Sequence, residues 1–490
     1  MYDAHVPFPV YDMHEWWSDK WNGLDYGRDV DWNRSVFEQL KPLHQTVPRM
    51  NIINVMCENT DYSNMSRGSR NCYLVFGCVG SEDCYYGHIV WQSKNSLDCL
   101  YLYRSEFCYE CTDCVQCYNL AFCMSCDNCS DSKFLVDCTG CRNCFGCVGL
   151  KNKEYYLFNQ PYSREDYEVK MKEFNQGDRR LVAMAQAKVK ELMGQETVKN
   201  FHGFGCENVT GDYLYNCKSV FDSYDLKNCE ECRYCATLDS FLNCYDCNFS
   251  APPAEWCYNC LTCQGYELFC CHLCFNSSNL YYSDQCYDSK DCFGCVGLKK
   301  KQYCIFNKQY TKEAYEALLP RLIEHMKKTG ATRLGRGQEW GEFFPIDFSP
   351  FAYNETIAYK YFLLTEAETK ARGWRWKELD EQKSYKGPHY EIPEDIKEVS
   401  DDICKQILVC EKSGRLFKII PQELAFYRQH NIPIPKFCFD ERHDARMTLR
   451  NPRHLWNRSC AQCQKPLQTS YAPDRSETVV CEECYLKTVY

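Results

Sequence analysis

Four thiols near the end of the chain have the spacing of a metal site. Cys460-x2-Cys463, seventeen residues, then Cys481-x2-Cys484 is the paired-knuckle pattern that folds four thiolates tetrahedrally around zinc. All four ligands are sulfur and no position is left for water, so the spacing predicts one structural zinc and argues against a catalytic one. Just upstream, Cys410-Glu-Lys-Ser413 and Cys438-Phe-Asp-Glu441 keep the two-residue spacing but carry Ser and Glu in place of the second thiol. Two thiolates alone hold zinc poorly, so Cys410 and Cys438 make a weak metal candidate, with His443 as a helper. A metal-free finger packed by Leu416, Phe417, Ile419, Ile420, Leu424 and Phe426 is the preferred reading.

Between these motifs lies a row of arginines. Arg442, Arg446 and Arg450 fall at i, i+4 and i+8 on a helix expected from near Asp440 to before Pro452, and Arg453 follows. Residues 405–490 hold fourteen Lys and Arg against nine acids, whereas the whole chain carries −10. A basic row of this kind can hold the phosphates of a nucleic acid. The competing reading pairs the arginines with Asp440, Glu441, Asp444 or an acidic surface elsewhere in the chain. A third set of positions lies at the N-terminus, where aligning Tyr2 with Tyr471 sets Val10 on Val479, Asp12 on Cys481 and Glu15 on Cys484. The chain thus reads as starting inside a ribbon whose first half is absent, with His14 a marginal ligand.

The remaining cysteines are organised differently. Of forty in 490 residues, sixteen lie in 57–147 and seventeen in 206–304, and every one in the first block has a number divisible by three. From Thr60 to Leu150 each third residue is Cys, Ser, Leu, Val, Gly or Thr, never charged and never aromatic, while Asp, Glu, Asn, Lys and Tyr fill the positions between. Block two repeats the pattern from Cys217 to Ser250 and from Cys271 to Leu298, with a slip of phase near Ala251-Pro-Pro-Ala254. A period of three suits neither a helix nor a flat strand. It suits a narrow β-solenoid, similar to small-residue-lined antifreeze β-helices, in which each short side sends one side chain inward. Val75, Val90, Leu120, Leu135 and Leu150 recur at fifteen, which suggests that coil length.

Three chemistries compete for these thiols. A free Cys packs as a small hydrophobe, which a narrow lumen requires. Cys108-x2-Cys111-x2-Cys114-x2-Cys117 could converge on a metal or iron-sulfur cluster, although the same phase continues through Ser and Leu. Stacked coils would also bring cysteines within disulfide range. Core packing is the preferred reading.

The solenoids need ends and connections. Cys144-Phe-Gly-Cys147-Val-Gly-Leu150-Lys151 recurs as Cys292-Phe-Gly-Cys295-Val-Gly-Leu298-Lys299, and fifteen of 24 positions from 144 match at an offset of 148, an internal duplication. Each copy leads to a hydroxyl N-cap, Ser163 or Thr311, and an acidic first turn. The first helix is expected to break at Gln176-Gly177-Asp178 and resume to Met193, the second to be interrupted by Pro320 and to stop by Gly330, and Thr365 to open a short helix ending at Gly373.

The fold expected is mainly β with α connections: two Cys-lined solenoid blocks joined by helices, then a zinc ribbon. Its parts are an N-terminal ribbon remnant and connection (1–56), solenoid I (57–162), a helical connection (163–205), solenoid II (206–310), a helical and aromatic-rich connection (311–404) and a basic zinc-ribbon domain with a degenerate first knuckle pair (405–490). With 45% hydrophobic and 25% charged residues and no run of eighteen apolar residues, a membrane span is not expected. Neither is a cleaved export signal, which points to the cytoplasm.

Several phrases carry a family resemblance: Trp16-Trp17-Ser-Asp-Lys20-Trp21, the twice-used Cys-Phe-Gly-Cys-Val-Gly-Leu, Gly341-Glu-Phe-Phe344-Pro345 through Ser349-Pro-Phe-Ala-Tyr-Asn354-Glu-Thr356, and Ile420-Pro-Gln-Glu423-Leu. Over nearly its whole length the chain resembles the cysteine-rich, zinc-ribbon-containing proteins of uncultivated, small-genome bacteria, a family without an assigned reaction. The resemblance implies zinc-ribbon pairs at both ends, from which Ser413, Glu441, Asp12 and Glu15 depart.

With no H-E-x-x-H, G-x-S-x-G or phosphate-loop pattern, hydrolytic and nucleotide chemistry have no candidate residues. The function expected is that of a non-enzymatic, zinc-binding scaffold or binding protein. Its partner would be another protein, or a nucleic acid held by Arg442, Arg446, Arg450 and Arg453. The alternative is a thiol-based metal reservoir or redox protein that uses the cysteine blocks.

Overall fold

The computed structural model describes residues 2–98, 100–103, 106–109, 118–121, 128–174, 177–230, 236–244, 248–250, 255–257, 264–266, 274–329, 339–378, 387 and 389–489, with backbone alone at 100–121, 229–266 and 488–489. The expected β-solenoid is present, and the three-residue period has a backbone cause. Every third residue, immediately before each inward one, has positive φ: Asn59 (47°), Tyr62 (52°), Asn71 (53°), Leu74 (51°), Asp83 (54°) and Tyr86 (57°). These residues are left-handed corners, so each side of the coil has one outward residue, one corner and one inward residue. Asn, Asp and Gly crowd the corner phase because they tolerate this conformation best. At Gly146 and Gly294, corners of the repeated phrase, a side chain would also strike the rings of Phe158 and Phe306.

Coil length departs from expectation. The parallel registers Glu58↔Arg70, Arg70↔Glu82, Glu82↔Lys94 and Glu106↔Tyr118 step by twelve, so four three-residue sides make one coil. The fifteen-residue spacing of bulky residues is one coil plus one side. Val75 and Val90 therefore climb the lumen as a staircase and do not stack directly, which lets a narrow bore accept them. In solenoid II, Glu207↔Lys218 steps by eleven and Leu242↔Glu255 by thirteen, the latter spanning the slip of phase at 251–254, which lies outside the described residues.

The ladder itself explains why the lumen is Cys and Ser. Outward amides bond to the next coil (Arg70 to the Ser81 carbonyl, 2.9 Å) and corner amides to the previous one (Leu74 to the Asp61 carbonyl, 3.1 Å). The amide of many an inward residue is taken up inside the lumen. It donates to the sulfur or hydroxyl twelve residues earlier: Ser93 to Ser81 Oγ (3.2 Å), Cys141 to Cys129 Sγ (3.4 Å), Cys144 to Ser132 Oγ (3.0 Å), Asn307 to Cys295 Sγ (3.4 Å). Each acceptor in turn donates its proton to ladder carbonyls, as Ser81 does to Val79 and Val90 and Cys138 to Val136 and Cys147. A small side chain carrying both a donor and an acceptor is what this position needs, because a buried amide left unpaired is costly. Every described triplet position from Ser63 to Ser96 and from Cys129 to Cys147 is buried.

Both solenoids end alike. Tyr156–Leu157 turns antiparallel onto Gln160–Pro161, and Gln302–Ile305 onto Lys308–Gln309. In each turn an asparagine plugs the last coil: Asn159 bonds both the amide and the carbonyl of Val148 (2.9 Å each), and Asn307 those of Val296 (2.8 and 2.7 Å). The capped helices Arg164–Glu173 and Lys312–Lys328 follow, and Arg179–Met193 resumes behind Asp178. Lys312–Lys328 runs through Pro320 without the expected interruption. Pro320 and Glu316, the residue whose carbonyl it deprives of a donor, are both exposed, so that carbonyl is not stranded in the core. The N-terminal residues pack on the far end of solenoid II, where Trp16 and Trp21 join Tyr287 and Val296, and the Lys299 ammonium donates to the Trp16 and Ser18 carbonyls.

Candidate metal centre and the arginine face

Trp456–Ser459 and Pro466–Thr469 form a hairpin whose tight turn carries Cys460 and Cys463, and Thr478–Val480 delivers Cys481 to the start of the helix Glu482–Val489. The four sulfurs lie within 4.8 Å of one another, with Cys463 and Cys481 3.7 Å apart. Cys460, Cys481 and Cys484 are buried and Cys463 faces solvent. The Cys481 amide donates to Cys460 Sγ at 3.3 Å. Burial pushes the Cys460 thiol up, but amides of Cys463, Cys481 and Gln462 outweigh it and bring it down to about 6. Cys484, desolvated and facing three sulfurs, is pushed up to about 12. Four thiols crowded this way, one already close to ionised, form a group that could hold a metal ion.

The cluster is wired to both solenoids. Thr478–Val480 pairs in parallel with Thr197–Lys199, the strand entering solenoid II. Asn200 donates its amide to the Val480 carbonyl (3.0 Å) and its side chain to the Gln468 carbonyl (3.1 Å), while Lys199 meets Glu482 at 3.1 Å. From the end of solenoid I, Lys151 sits over the Tyr485 ring. Behind the hairpin, Asp212 accepts from the ring of His202 (2.9 Å) and is bonded by Ser470, and Tyr471 reaches the other nitrogen of His202 (3.1 Å).

The upstream phrases fold into a second hairpin turn with the same backbone bonding. The Cys410 amide bonds the Arg415 carbonyl (2.8 Å) as the Cys460 amide bonds that of Lys465 (2.9 Å). Gly414 returns to Cys410 (2.9 Å) as Gln464 returns to Cys460 (3.0 Å), and Glu411 pairs with Lys436 (3.2 Å) as Ala461 pairs with Val479 (3.0 Å). Ser413 Oγ lies 3.8 Å from Cys438 Sγ, in the place of the Cys463–Cys481 contact. Glu441 turns instead to the Lys412 ammonium (2.8 Å), and His443 packs against the rings of His88 and Phe439. At the N-terminus, Val10–Tyr11 pairs in parallel with Arg49–Met50 and Asp12 caps Met13–Trp17 by accepting from the Glu15 amide, the arrangement of Thr478–Val480, Cys481 and the last helix. Asp12, His14 and Glu15 are all exposed.

The arginine row is corrected by the structure. Phe439–Leu449 is the expected helix, yet its guanidinium groups point into the protein. Arg442 meets Asp98 of solenoid I through Nε at 2.8 Å, and Arg446 meets the same carboxylate at 3.5 Å. Arg450 and Arg453 share Asp225 of solenoid II, the latter at 2.6 Å. Their side chains are 5%, 3%, 5% and 14% exposed, and Arg442, Arg450 and Arg453 also lie over Tyr86, Tyr213 and Tyr361. No exposed phosphate-holding face exists on this row. The nearby acids go elsewhere: Asp440 to Arg415, Glu441 to Lys412, Asp444 to Lys360. Asp225 is raised by burial and lowered more by Arg450 and Arg453, which hold it below the usual carboxylate range. Glu423, buried beside Arg442 and bonded by Tyr86 and Tyr427, is pushed up to about 7, mainly by desolvation.

Sequence reasoning missed Asp98 and Asp225. Both are corner residues (φ 59° and 61°), and nothing local separates them from the other Asp and Asn corners. The candidate cluster Cys108, Cys111, Cys114 and Cys117 has side chains outside the described residues.

No family model and no curated protein matches the chain. Among solved structures, a similar chain is the "putative acetyltransferase from Desulfovibrio desulfuricans G20", 10% identical over 60% of this chain and 75% of that chain, with a TM-score of 0.08. A likeness that slight carries no argument about fold or activity. No described helix is long and apolar enough to cross a membrane.

Proposed function

We propose that the protein is a non-enzymatic scaffold in which a structural zinc, held by Cys460, Cys463, Cys481 and Cys484, locks two Cys-lined solenoids through the C-terminal domain. The observation that carries this reading is the pairing of Thr478–Val480 with Thr197–Lys199, which ties the strand leading into Cys481 to the strand leading into solenoid II. Zinc fits four convergent thiols better than harder ions, and a four-sulfur shell leaves no place for substrate. The lumen thiols support scaffold over reservoir: they donate to carbonyls, the lowering contact of Cys72 with Cys78 is outweighed by the Cys84 sulfur together with burial, which raise that thiol to about 12, and among the described residues no second group of metal-ligating side chains converges. A reducing, cytoplasmic compartment and membership of the ribbon-bearing family suit such a chain, whose described cysteines are all free thiols. Elemental analysis of anaerobically purified protein tests the proposal. One zinc per chain, lost with any of the four cysteines, is expected; several metals per chain, or cluster absorbance, would replace the scaffold with the thiol reservoir.

A further inference from the structure

The two ends of solenoid I are unlike. Its last coil is closed by an antiparallel turn and the Asn159 plug, whereas its first coil is unpaired on the outer side among the described residues. Glu58–Asp61 is the terminal strand of its sheet, joined only to Arg70–Tyr73, and Asn54–Val55 is joined only to Ser66–Arg67. Around this edge Val55 is 40% exposed, Met56 82% and Tyr62 58%, and the lumen residues Cys57 and Thr60 are only half-buried.

The bonding pattern of the coils defines what the edge lacks. A corner amide donates to the outward carbonyl of the preceding coil, as Leu74 does to Asp61 (3.1 Å). An outward amide donates to the inward carbonyl of the following coil, as Glu58 does to Ser69 (3.0 Å). With no coil before it, the strand keeps the corner amides of Asn59 and Tyr62 and the inward carbonyls of Cys57 and Thr60 without a partner among the described residues. Two donors and two acceptors at the spacing of the other coils are what one more parallel strand would engage.

The side chains specify that strand. The column beginning at Glu58 alternates in charge through Arg70, Glu82 and Lys94, and Glu82 bridges both of its basic neighbours. Continued outward, the alternation calls for a cation opposite Glu58. Asp61 stands three residues along, and neither carboxylate has an ion-pair partner among the described residues. A strand with Lys or Arg at two outward positions three apart, Asn or Gly at the corner and a small inward residue fits the edge. A second copy of this chain does not, because pairing two such edges sets Glu58 and Asp61 of one against the same acids of the other. The duplication repeats the feature: Cys57-Glu58-Asn59 recurs as Cys206-Glu207-Asn208 in the first coil of solenoid II, with Glu207 and Asn208 again exposed. There the chain supplies a cation of its own, since Lys199 donates to the Gly203 carbonyl of that coil.

We propose that the first coil of solenoid I is a docking edge for an extended, basic segment of a partner protein, which adds to Glu58–Asp61 as a further parallel strand. The proposal deepens the scaffold reading by naming a class of partner, and it rests on the coil ladder and not on the metal site.

The test uses the full-length chain and, as probe, a blocked synthetic peptide of Lys-Asn-Ser repeated three times. At a peptide concentration of about ten times its Kd, exchange of the Asn59 and Tyr62 amides should slow by about ten-fold, while Leu74 and Tyr86, already bonded in the ladder, stay unchanged. Glu58→Lys combined with Asp61→Lys, both at exposed positions, should weaken binding by about ten-fold or more. Methylating the lysine amides of the peptide removes the donors meant for the Cys57 and Thr60 carbonyls at unchanged charge, and should abolish the protection. The proposal is overturned if millimolar peptide leaves Asn59 and Tyr62 unprotected, or if the methylated peptide or a Glu-Asn-Ser peptide protects them as well. It is equally overturned if both amides are protected without peptide and lose that protection on dilution, the mark of a second copy on the edge. Zinc content read in the same sample reports separately on the scaffold reading.

Discussion

Replacing Cys295 by Ala and by Ser separates two accounts of the lumen, simple packing and hydrogen-bond relay. Cys295 is fully buried, accepts the Asn307 amide at 3.4 Å and donates to the Phe293 carbonyl at 3.4 Å. Deleting the sulfur removes about one methylene's worth of burial, roughly 0.8 kcal/mol. If the relay is real, Ala also strands a buried amide, a further loss of about 1–3 kcal/mol. Ser loses some of the burial but keeps donor and acceptor. The relay therefore predicts Ala worse than Ser by about 1–3 kcal/mol, whereas packing alone predicts Ala equal or better, since it buries no hydroxyl. A chain of this size does not unfold as one unit, so the readout is native-state hydrogen exchange at the Asn307 amide and its neighbours in the last coil. Faster exchange in Ala than in Ser by about five-fold or more is expected. Equal exchange in the two variants, or slower exchange in Ala, would refute the relay.

Other consequences can be checked as directly. Chelating the metal, or Cys463→Ser, should release the pairing of Thr478–Val480 with Thr197–Lys199, seen as lost exchange protection at both strands, while the solenoid ladders stay protected. Unfolding of the coils as well would show that they need metal themselves. Asp225→Asn leaves Arg450 and Arg453 buried against a neutral amide, and removing one partner of such a cluster costs about 3–5 kcal/mol. Protection of Phe439–Leu449 should fall, and an unchanged helix would disprove the docking. Acid should undo the same interface. Burial holds His88 down at about 4 and His443 at about 3, so each supports folding above its ordinary 6.5 and withdraws that support as pH falls below it. Glu423, raised to about 7, has the opposite sign and stabilises progressively as pH falls from 7 to its ordinary 4.5. Two histidines against one carboxyl leave a net loss of roughly 1.4 kcal/mol per pH unit between 6.5 and 4.5. Thermal unfolding across that range should show the slope, and His443→Phe should reduce it.

The solenoid was legible because its cause is local. An inward side chain at every third residue shows directly in Cys72, Cys78 and Cys84, and the corner that enforces it shows in Asn71, Gly77 and Asp83 before them. Coil length was not legible, because four identical sides leave no mark on a period of three and only pairing between coils fixes the count at twelve. The four-thiol cluster was legible from spacing, since a two-residue turn constrains both thiols of each pair. The orientation of the arginines was not. A helix with Arg at i, i+4 and i+8 has the same sequence whether that face meets solvent or two aspartates, and Asp98 lies 344 residues from Arg442.

Those aspartates explain why a charged helix is buried at all. Asn, Asp and Gly tolerate positive φ best and recur at the corners beside larger residues such as Leu74 and Tyr86, so an aspartate there places a carboxylate on the solenoid flank. A domain docking there needs donors, and arginine supplies a planar fork that also stacks on the neighbouring tyrosines. Phe439–Leu449 is about 16 Å long at roughly 1.5 Å per residue. It presents Arg442 and Arg446 to one solenoid from its length and Arg450 and Arg453 to the other from its end. Buried ion pairs add little net stability compared with apolar packing, but they penalise every misaligned arrangement that leaves a charge unpaired. The helix thereby acts as a ruler: Asp98 and Asp225 can both be satisfied at one separation of the two solenoids. A nucleic-acid-binding face would have left the same arginines in water, whereas these four are held against Asp98 and Asp225.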